Sequence, residues 1–261
     1  MDHIDIIREL TIMAASEGDE RQIEYLFSLP ERIVDTNWAD YNGRTLLSLA
    51  AYGRHVEIVR ELLNYGVDVN SRDKDGRTAL ALAAYQGSNT TVDELITQPG
   101  IELDAADSKG NTPLALAASE GHWMVTDCLL RAPGLVVNGN TRNEDGQTPL
   151  SLAAQNGHIS VVKQLLSRND IKINLKDNDG QTPLSHAVAA DQRETVALLL
   201  EQRGIDSDIT DKNGLTAIEL LVRHRLQSIT KHKANSAKRV GQRKNFVSIG
   251  RKTSRISNSS S

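Results

Sequence analysis

Hydrophobic residues recur along most of the chain in two short clusters separated by a polar break. In the most regular stretch, Pro149-Leu150 is followed by Ala153-Ala154, and Gly157-His158 separates these residues from Val161-Val162 and Leu165-Leu166. Spacings of three and four residues predict amphipathic helices. Each unit is therefore predicted to contain an alanine-rich first helix, a tight turn and a second helix with larger aliphatic side chains.

The unit repeats at a nearly constant interval. Its polar turn, Asp/Asn-x-x-Gly, carries six glycines with separations of 33, 34, 36, 34 and 34 residues: Gly43, Gly76, Gly110, Gly146, Gly180 and Gly214. Such a period is typical of solenoids, in which no unit can bury its apolar face alone. Thr148 and Thr182 are placed to cap the first helix, and Pro149 and Pro183 fall at its first position.

The fourth unit, Asn143-Glu144-Asp145-Gly146-Gln147-Thr148-Pro149-Leu150, together with its Ala-Ala pair, Gly-His break and Leu-Leu pair, resembles the ankyrin repeat. The resemblance covers roughly residues 10–226. It implies an all-α repeat solenoid of stacked helix-turn-helix units joined by β-hairpin-like loops. It also implies a protein that binds other proteins. The fourth residue of the family's Thr-Pro-Leu-His is Ser or Ala in the full units here.

The two ends depart from the pattern. Residues 1–35 keep Ala14-Ala15 and Leu26-Phe27 in register but lack the turn and Thr-Pro-Leu, so we expect a degenerate N-terminal capping repeat. Residues 36–226 are expected to form about five full repeats and a truncated C-terminal cap. In that cap, Leu221-Val222 replaces the alanine pair.

Four internal departures predict local irregularity. Arg54 stands where other units have the Gly of Gly-His, and Asp191-Gln192 replaces that dipeptide in the fifth unit. His186 stands where an apolar residue is expected. We therefore expect the first and fifth full units to be the less regular ones. Two extra residues near Asn138-Gly139-Asn140 predict a loop that projects further than its neighbours.

Residues suited to catalysis are few. His122 and His158 recur with the repeat, at a junction where an imidazole can hydrogen-bond to backbone, and neither has a Cys or carboxylate at a metal-ligand spacing. The turn carboxylates have a structural role. The single Cys128 lies beside Leu129-Leu130, which predicts burial as a small hydrophobe. The sequence therefore predicts a non-enzyme without a metal or cofactor.

The sequence predicts neither secretion nor insertion into a membrane. The N-terminus has no basic stretch followed by an apolar run, and no apolar segment approaches membrane-spanning length. We therefore expect an intracellular protein, cytoplasmic or nuclear, without a membrane span. Nothing resembles a dimerisation seam, so a monomer is expected.

In ankyrin-like stacks, the turn tips and the exposed side of the first helices form one concave face. The resemblance places the partner-binding positions of this chain at Trp38, Tyr41, Asn42, Arg44, Tyr52, Lys74, Asp75, Arg77, Tyr85, Gln86, Lys109, Asn111, Ser119, Glu120, Glu144, Asp145, Gln147, Gln155 and Asn156. Tyr and Arg often dominate interface energies. The hypothesis is an aromatic anchor at Tyr41, Tyr52 and Tyr85, followed by an acidic stretch. Exposed tyrosines can also be tolerated without binding anything.

Charge is segregated along the chain, although the net charge is only −4. Residues 223–261 contain 11 of the 30 Lys and Arg residues and no Asp or Glu, which leaves 19 basic and 34 acidic residues before them. The body therefore carries −15 and the C-terminal segment +11. The segment is also poor in apolar residues, which predicts a disordered basic tail at 227–261.

Several roles for the tail remain open at this point. The tail can be a solvated end without a function. Lys238-Arg239 and Arg243-Lys244 resemble a nuclear-import signal, and a basic tail can contact nucleic acid or an acidic membrane surface. Arg251-Lys252 before Thr253-Ser254 resembles a site for a basophilic kinase. The tail can also fold back on the acidic body and compete with a partner.

The function expected from these observations is a protein-binding adaptor or regulator that uses the concave face. The alternative is a nuclear or chromatin-associated regulator whose basic tail contacts nucleic acid while the repeats hold a protein.

Overall fold

The computed structural model describes residues 3–29, 33–132, 137–223 and 225–226. Within these ranges the helices are α1 His3–Glu17, α2 Glu20–Phe27, α3 Leu46–Gly53, α4 Val56–Asn64, α5 Ala79–Gln86, α6 Asn89–Ile96, α7 Pro113–Glu120, α8 Trp123–Leu130, α9 Pro149–Asn156, α10 Ile159–Leu166, α11 Pro183–Ala189 and α12 Arg193–Leu200. A further helix, α13, covers 217–223. Single antiparallel bridges join Ala39 to Thr45 and Thr210 to Thr216. The described part of the chain is thus helical, with hairpin-like turns.

A threonine starts the first helix of each full unit. Thr148, for example, has extended backbone, and its Oγ1 accepts a hydrogen bond from the Ser151 N–H at 3.2 Å. This bond satisfies one of the N–H groups that the helix itself cannot. Pro149 and Pro183 follow at the first turn, where no donor is needed. The predicted caps and starts are confirmed.

The helices stack in two rows. The odd-numbered helices α1 to α11 pack side by side, and the even-numbered helices form a second row. Eight alanines are completely buried in the first row, at Ala50-Ala51, Ala83-Ala84, Ala117-Ala118 and Ala153-Ala154. Because alanine adds so little bulk, the helix backbones can approach closely. One hydrophobic core runs from Ala14 to Leu220, which confirms the predicted solenoid.

A side chain from the following unit covers the C-terminal end of most first helices. The Nε2 atoms of His122 and His158 lie 2.9 and 2.8 Å from the carbonyl oxygens of Tyr85 and Ser119. A Cβ on Gly121 would come within 2.5 Å of the His158 ring, and the backbone φ there is +79°. Glycine is therefore required at this junction for both reasons. The predicted histidine bonds to backbone are confirmed.

The first full unit is as regular as its neighbours, so the expected irregularity at Arg54 is wrong. Arg54 adopts the left-handed backbone of the glycines it replaces, with φ +64°. In the next unit, Ser88 stands in the position of the covering histidines, and it donates to Thr91 Oγ1 at 2.9 Å. No imidazole ring is therefore present at that position to meet the Arg54 side chain. The fifth unit deviates only at the end of α11, which stops at Ala189, one residue before the position reached by the other first helices. Asp191 keeps the left-handed backbone of the glycine that it replaces, with φ +54°.

His186 is buried but fully accommodated. Its Nε2 lies 2.8 Å from Asp177 Oδ2, and both side chains are less than a tenth exposed. The imidazole therefore ties the first helix of the fifth unit to its own turn.

The loop at Asn138-Gly139-Asn140 does not project, so that prediction is wrong. Asn140 Nδ2 donates to the Asp170 carbonyl and its Oδ1 accepts from Lys172 N–H. Asn70 makes the same two bonds, to Gly100 and Glu102. The two extra residues instead precede Val137.

The proposed division into a cap (1–35), a repeat domain (36–226) and a tail (227–261) stays a prediction. In the first part, α1 packs on α3, and Ala14 and Ala15 are buried like the later alanine pairs. The tail, with Lys238, Arg239, Arg243, Lys244, Arg251, Lys252, Thr253 and Ser254, lies outside the described residues. Among the helices described, none has the length and apolar character needed to cross a bilayer.

Candidate partner-binding surface

Each turn is closed by its first carboxylate or amide side chain. In the second turn, Asp73 Oδ1 accepts hydrogen bonds from the backbone N–H groups of Asp75 and Arg77 at 2.9 and 2.8 Å. Gly76 completes the turn with φ +75°. A Cβ at this glycine would lie 2.9 Å from the nitrogen of Ser108 in the next turn. The turn is therefore fixed from within and packs tightly against its neighbour.

Consecutive turns are joined by a ladder of backbone hydrogen bonds. The Lys74 N–H donates to the Asn42 carbonyl at 2.9 Å. The same link recurs along the stack from Ser108 to Asp75, Glu144 to Lys109, Asn178 to Asp145 and Lys212 to Asp179. The side chains at the turn tips are thus held in one row beside the first helices. This row and the exposed side of the first helices are called the concave face below.

Three tyrosines lie at the N-terminal end of the concave face. Tyr41 is 82% exposed at the first turn tip, and Tyr52 and Tyr85 are 38% and 40% exposed near the ends of α3 and α5. The Arg44 guanidinium lies 5.7 Å from the centre of the Tyr52 ring. Gln86 Nε2 donates to the Tyr52 carbonyl at 3.1 Å, which fixes the two tyrosine-bearing helices side by side. The structure therefore places the three predicted anchor residues on one face.

A cavity of about 470 Å³ lies between α1 and the first turn, and Tyr41 is part of its lining. Ile12 and Met13 line one side, and Tyr41, Arg44 and Leu49 line the other. Sequence reasoning missed the contribution of α1 because residues 1–35 were assigned only a capping role. The signal was present, since Met13 precedes Leu49 by the same 36 residues that separate Ala14 from Ala50.

Several predicted contact residues also hold the turns together. Arg44 pairs with Asp40 at 2.8 Å, and Arg77 pairs with Asp73 at 2.9 Å and with Asp75 at 2.8 Å. Their side chains are only 22% and 30% exposed. Both guanidinium groups are therefore already engaged, and a direct role in partner binding stays a prediction.

The polar amides of the face are engaged in a similar way. Asn111 Nδ2 donates to Asp107 Oδ2 at 3.3 Å, and Asn156 Nδ2 donates to the Ser119 carbonyl at 3.0 Å. Gln147 Nε2 donates to Gln155 Oε1 at 3.2 Å and so links a turn tip to a first helix. Trp38 is half-buried at the base of the first turn.

The C-terminal half of the face is acidic. Glu120, Glu144 and Asp145 are exposed, and no cation pairs with them among the described residues. Asp179 in the next turn has only a long contact with Lys212, at 3.4 Å between two mostly exposed side chains. Lys74 and Lys109 are exposed at earlier tips. The face thus changes from aromatic to acidic along the stack.

Trp123 and Met124 form an exposed apolar pair that sequence reasoning did not single out. They are 48% and 49% exposed at the start of α8. His122, the preceding residue, contacts the Tyr85 carbonyl, so the pair lies near the edge of the concave face. Two large exposed side chains directly after the Gly-His break were the available signal.

The described residues contain little that resembles a reactive centre. Burial, with Asp93 beside it, raises the pKa of the half-buried Cys128 thiol to about 12, so the group stays protonated at neutral pH. No group of three or more His, Cys, Asp or Glu residues in the described ranges is arranged to hold a metal ion.

The comparisons agree with the architecture. The family model for ankyrin repeats (3 copies) matches residues 11–107, 68–138, 86–177 and 125–213. A search of the curated proteins finds no match to this chain. The family matches cover most of the described helices and overlap from one unit to the next. The chain therefore belongs to the ankyrin repeat family.

Proposed function

We propose that this chain is an adaptor or regulator that binds a protein partner on its concave face and has no catalytic role. Ankyrin repeats generally serve as protein–protein interaction modules. The observation that carries the proposal is the row of exposed tyrosines, Tyr41, Tyr52 and Tyr85, the first of which also lines a cavity against α1. A cytoplasmic or nuclear location and a monomeric state stay predictions.

The aromatic end supplies most of the affinity in this proposal. Tyrosine offers a large contact area with few rotatable bonds, and such side chains dominate many interfaces. The turn ladder already fixes the backbone beneath Tyr41, so little conformational entropy is lost on binding. The acidic half, at Glu120, Glu144 and Asp145, then selects the orientation of a partner with a complementary charge.

Affinity capture from native lysate tests the proposal. The full chain is used as bait beside Tyr41→Ala/Tyr52→Ala/Tyr85→Ala, with Tyr25→Ala as the control, because Tyr25 is 64% exposed on α2 in the second row. Nuclease treatment is included throughout. A protein held by the wild type and the control but lost by the triple variant supports the proposal. Equal capture by all three baits contradicts it.

The charge segregation favours a second function, that of a nuclear or chromatin-associated regulator. The C-terminal segment 223–261, with 11 cations and no Asp or Glu, can bind nucleic acid through counterion release. Such binding weakens steeply as the salt concentration rises. Capture that is lost on nuclease treatment, and that is the same for the triple tyrosine variant, supports this alternative.

A further inference from the structure

The two halves of the concave face differ in how their charges are compensated. In the first two turns, Asp40, Asp73 and Asp75 are each paired with an arginine of the same turn. Farther along, Glu120, Glu144 and Asp145 have no such partner in the described part of the chain. Lys109, exposed at the neighbouring turn tip, offsets part of this charge, so this half of the face keeps a net negative charge that a cationic ligand can neutralise.

The chain itself carries a ligand of that chemistry. Lys238-Arg239, Arg243-Lys244 and Arg251-Lys252 are three basic pairs in a segment without any acidic residue. Between the second and third pairs lies the only apolar cluster of the tail that contains an aromatic residue, Phe246-Val247 with Ile249. The segment therefore combines cations for an acidic surface with an apolar anchor for an aromatic one.

Along the tail, the basic pairs and the apolar cluster come in the same order as the acidic and aromatic parts of the concave face. The chain leaves the last described unit at residue 226, so it meets the acidic half of the face before the aromatic end. The basic pairs at 238–244 come first along the tail and Phe246 comes after them. A tail that runs back along the face thus presents charge to charge and an apolar anchor to the tyrosines.

The tail is long enough for this path. Neighbouring helices of a stack lie about 8–10 Å apart, so α7, which carries Glu120, is about 30 Å from α13 and α3 is about 50 Å away. Lys238 is 12 residues beyond residue 226 and Phe246 is 20 residues beyond it. Extended chain covers about 3.3 Å per residue, which gives about 40 and 66 Å. Both groups reach their sites.

We propose that residues 238–252 bind the concave face of the same molecule. The basic pairs at 238–244 lie against Glu120, Glu144 and Asp145, and Phe246 lies against the tyrosine end of the face. The docking itself does not depend on the proposed function. Only its consequence rests on that function, namely that a protein partner must displace the tail. Salt weakens the contact, since exposed charges are screened beyond about 8–10 Å at physiological ionic strength.

The docking can be measured in the full chain without any partner. A nitroxide label is attached at Ser248→Cys in a Cys128→Ser background, and backbone amide signals are compared with the label oxidised and reduced. At low salt, we expect signal loss at Tyr52, Tyr85 and Glu120 and none at Lys163 in the second row. The loss should be unchanged on fivefold dilution and should disappear at high salt.

Matched charge reversals distinguish docking on the concave face from a nonspecific attraction between the basic tail and the acidic body. Glu120→Lys/Glu144→Lys/Asp145→Lys should abolish the signal loss. Glu24→Lys/Glu194→Lys/Glu201→Lys changes the net charge equally on exposed second-row positions, in α2, in α12 and at the C-cap of α12, and should leave the signal loss intact. Equal effects of the two variants, signal loss over both rows, or loss that vanishes on dilution overturns the proposal. Since no partner is present, each of these results leaves the tyrosine test of the proposed function standing.

Discussion

The fifth repeat and the unit that follows it share one sequence pattern but not one environment. Leu184 ends Asp-x-x-Gly-x-Thr-Pro-Leu and is 1% exposed, whereas Ile218 ends Asp-x-x-Gly-x-Thr-Ala-Ile and is 56% exposed. The equivalent residues of the earlier units, all followed by another unit, are at most 1% exposed: Leu47, Leu80, Leu114 and Leu150. Burial in this stack is therefore decided by the unit that comes next.

The largest expected contrast is between these two hydrophobic residues. Leu184→Ala should lower the free energy of unfolding by about 2–5 kcal/mol, because it leaves a cavity between packed units. Ile218→Ala should change it by about 0.5 kcal/mol, as exposed substitutions do. Urea unfolding followed by circular dichroism measures both. Equal losses would show that the last unit is covered like the fifth.

The turn glycines give a second matched pair. Gly180 and Gly214 both have positive φ, +77° and +73°, but a Cβ on Gly180 would lie 3.0 Å from Lys212 N while Gly214 has no atom within 4 Å. Alanine at either site should cost about 1–2 kcal/mol of backbone strain. Gly180→Ala alone should lose about 1 kcal/mol more of folding free energy, because its Cβ overpacks the neighbouring turn. Thermal unfolding of the two variants measures the difference, and identical melting curves would count against tight turn packing.

Arg54 and Ser88 sharpen the comparison at the junction between units. Ser88→His should destabilise the chain, because the ring meets the Cβ of Arg54, while Arg54→Gly/Ser88→His recreates the arrangement of Gly121 and His158. We expect a coupling energy of about 1–2 kcal/mol in the double-mutant cycle. Additive changes in the denaturation midpoints of the four proteins would contradict the steric reason for serine at position 88.

The smallest expected effect lies at Asp104, where Asn70, Asn140 and Asn174 occupy the same position in other units. Burial raises the pKa of Asp104, and its Oδ1 is buried without a hydrogen-bond partner in the described residues. When folding raises the pKa of a carboxyl, the charged form of that carboxyl destabilises the folded state at pH values above the raised pKa. This cost disappears once the carboxyl is protonated. Asp104→Asn should therefore stabilise the chain at pH 7 by less than about 1 kcal/mol, since the group is partly hydrated.

The pH dependence checks the sign of that prediction. As the pH falls through the raised pKa of Asp104, the wild type should recover stability relative to Asp104→Asn, so the gap between their unfolding midpoints should narrow. A gap that widens on acidification would contradict an electrostatic cost at Asp104.

Much of the fold could be predicted because its signals are local. Glycine spacing set the period, and Thr148 with Pro149 marked a helix start that the hydrogen bonds confirm. What the sequence pattern could not show was compatibility between units. Arg54 was predicted to disturb its unit, but the next unit has the small Ser88 in the position of the covering histidines. The loop at Asn140 was predicted to be irregular, but its hydrogen bonds repeat those of Asn70.

For the candidate site, the sequence could predict which side chains are exposed, whereas their role in binding stays a prediction. The tyrosines are exposed on one face, as the register required. The pairing of Arg44 with Asp40 and the lining of the cavity by Met13 depend on side-chain geometry between elements, which a single unit does not encode. Whether these positions bind a partner is a question of surface complementarity, which the repeat pattern does not determine.

The central claim is that the aromatic end of the concave face binds the protein partner. Titration calorimetry of the captured partner against Tyr41→Ala/Tyr52→Ala/Tyr85→Ala should show an affinity at least about 100-fold weaker than for wild type, because several tyrosines of an interface core each contribute more than about 1 kcal/mol. Tyr25→Ala should bind like wild type. Unchanged affinity of the triple variant would place the binding surface elsewhere on the chain and contradict the claim.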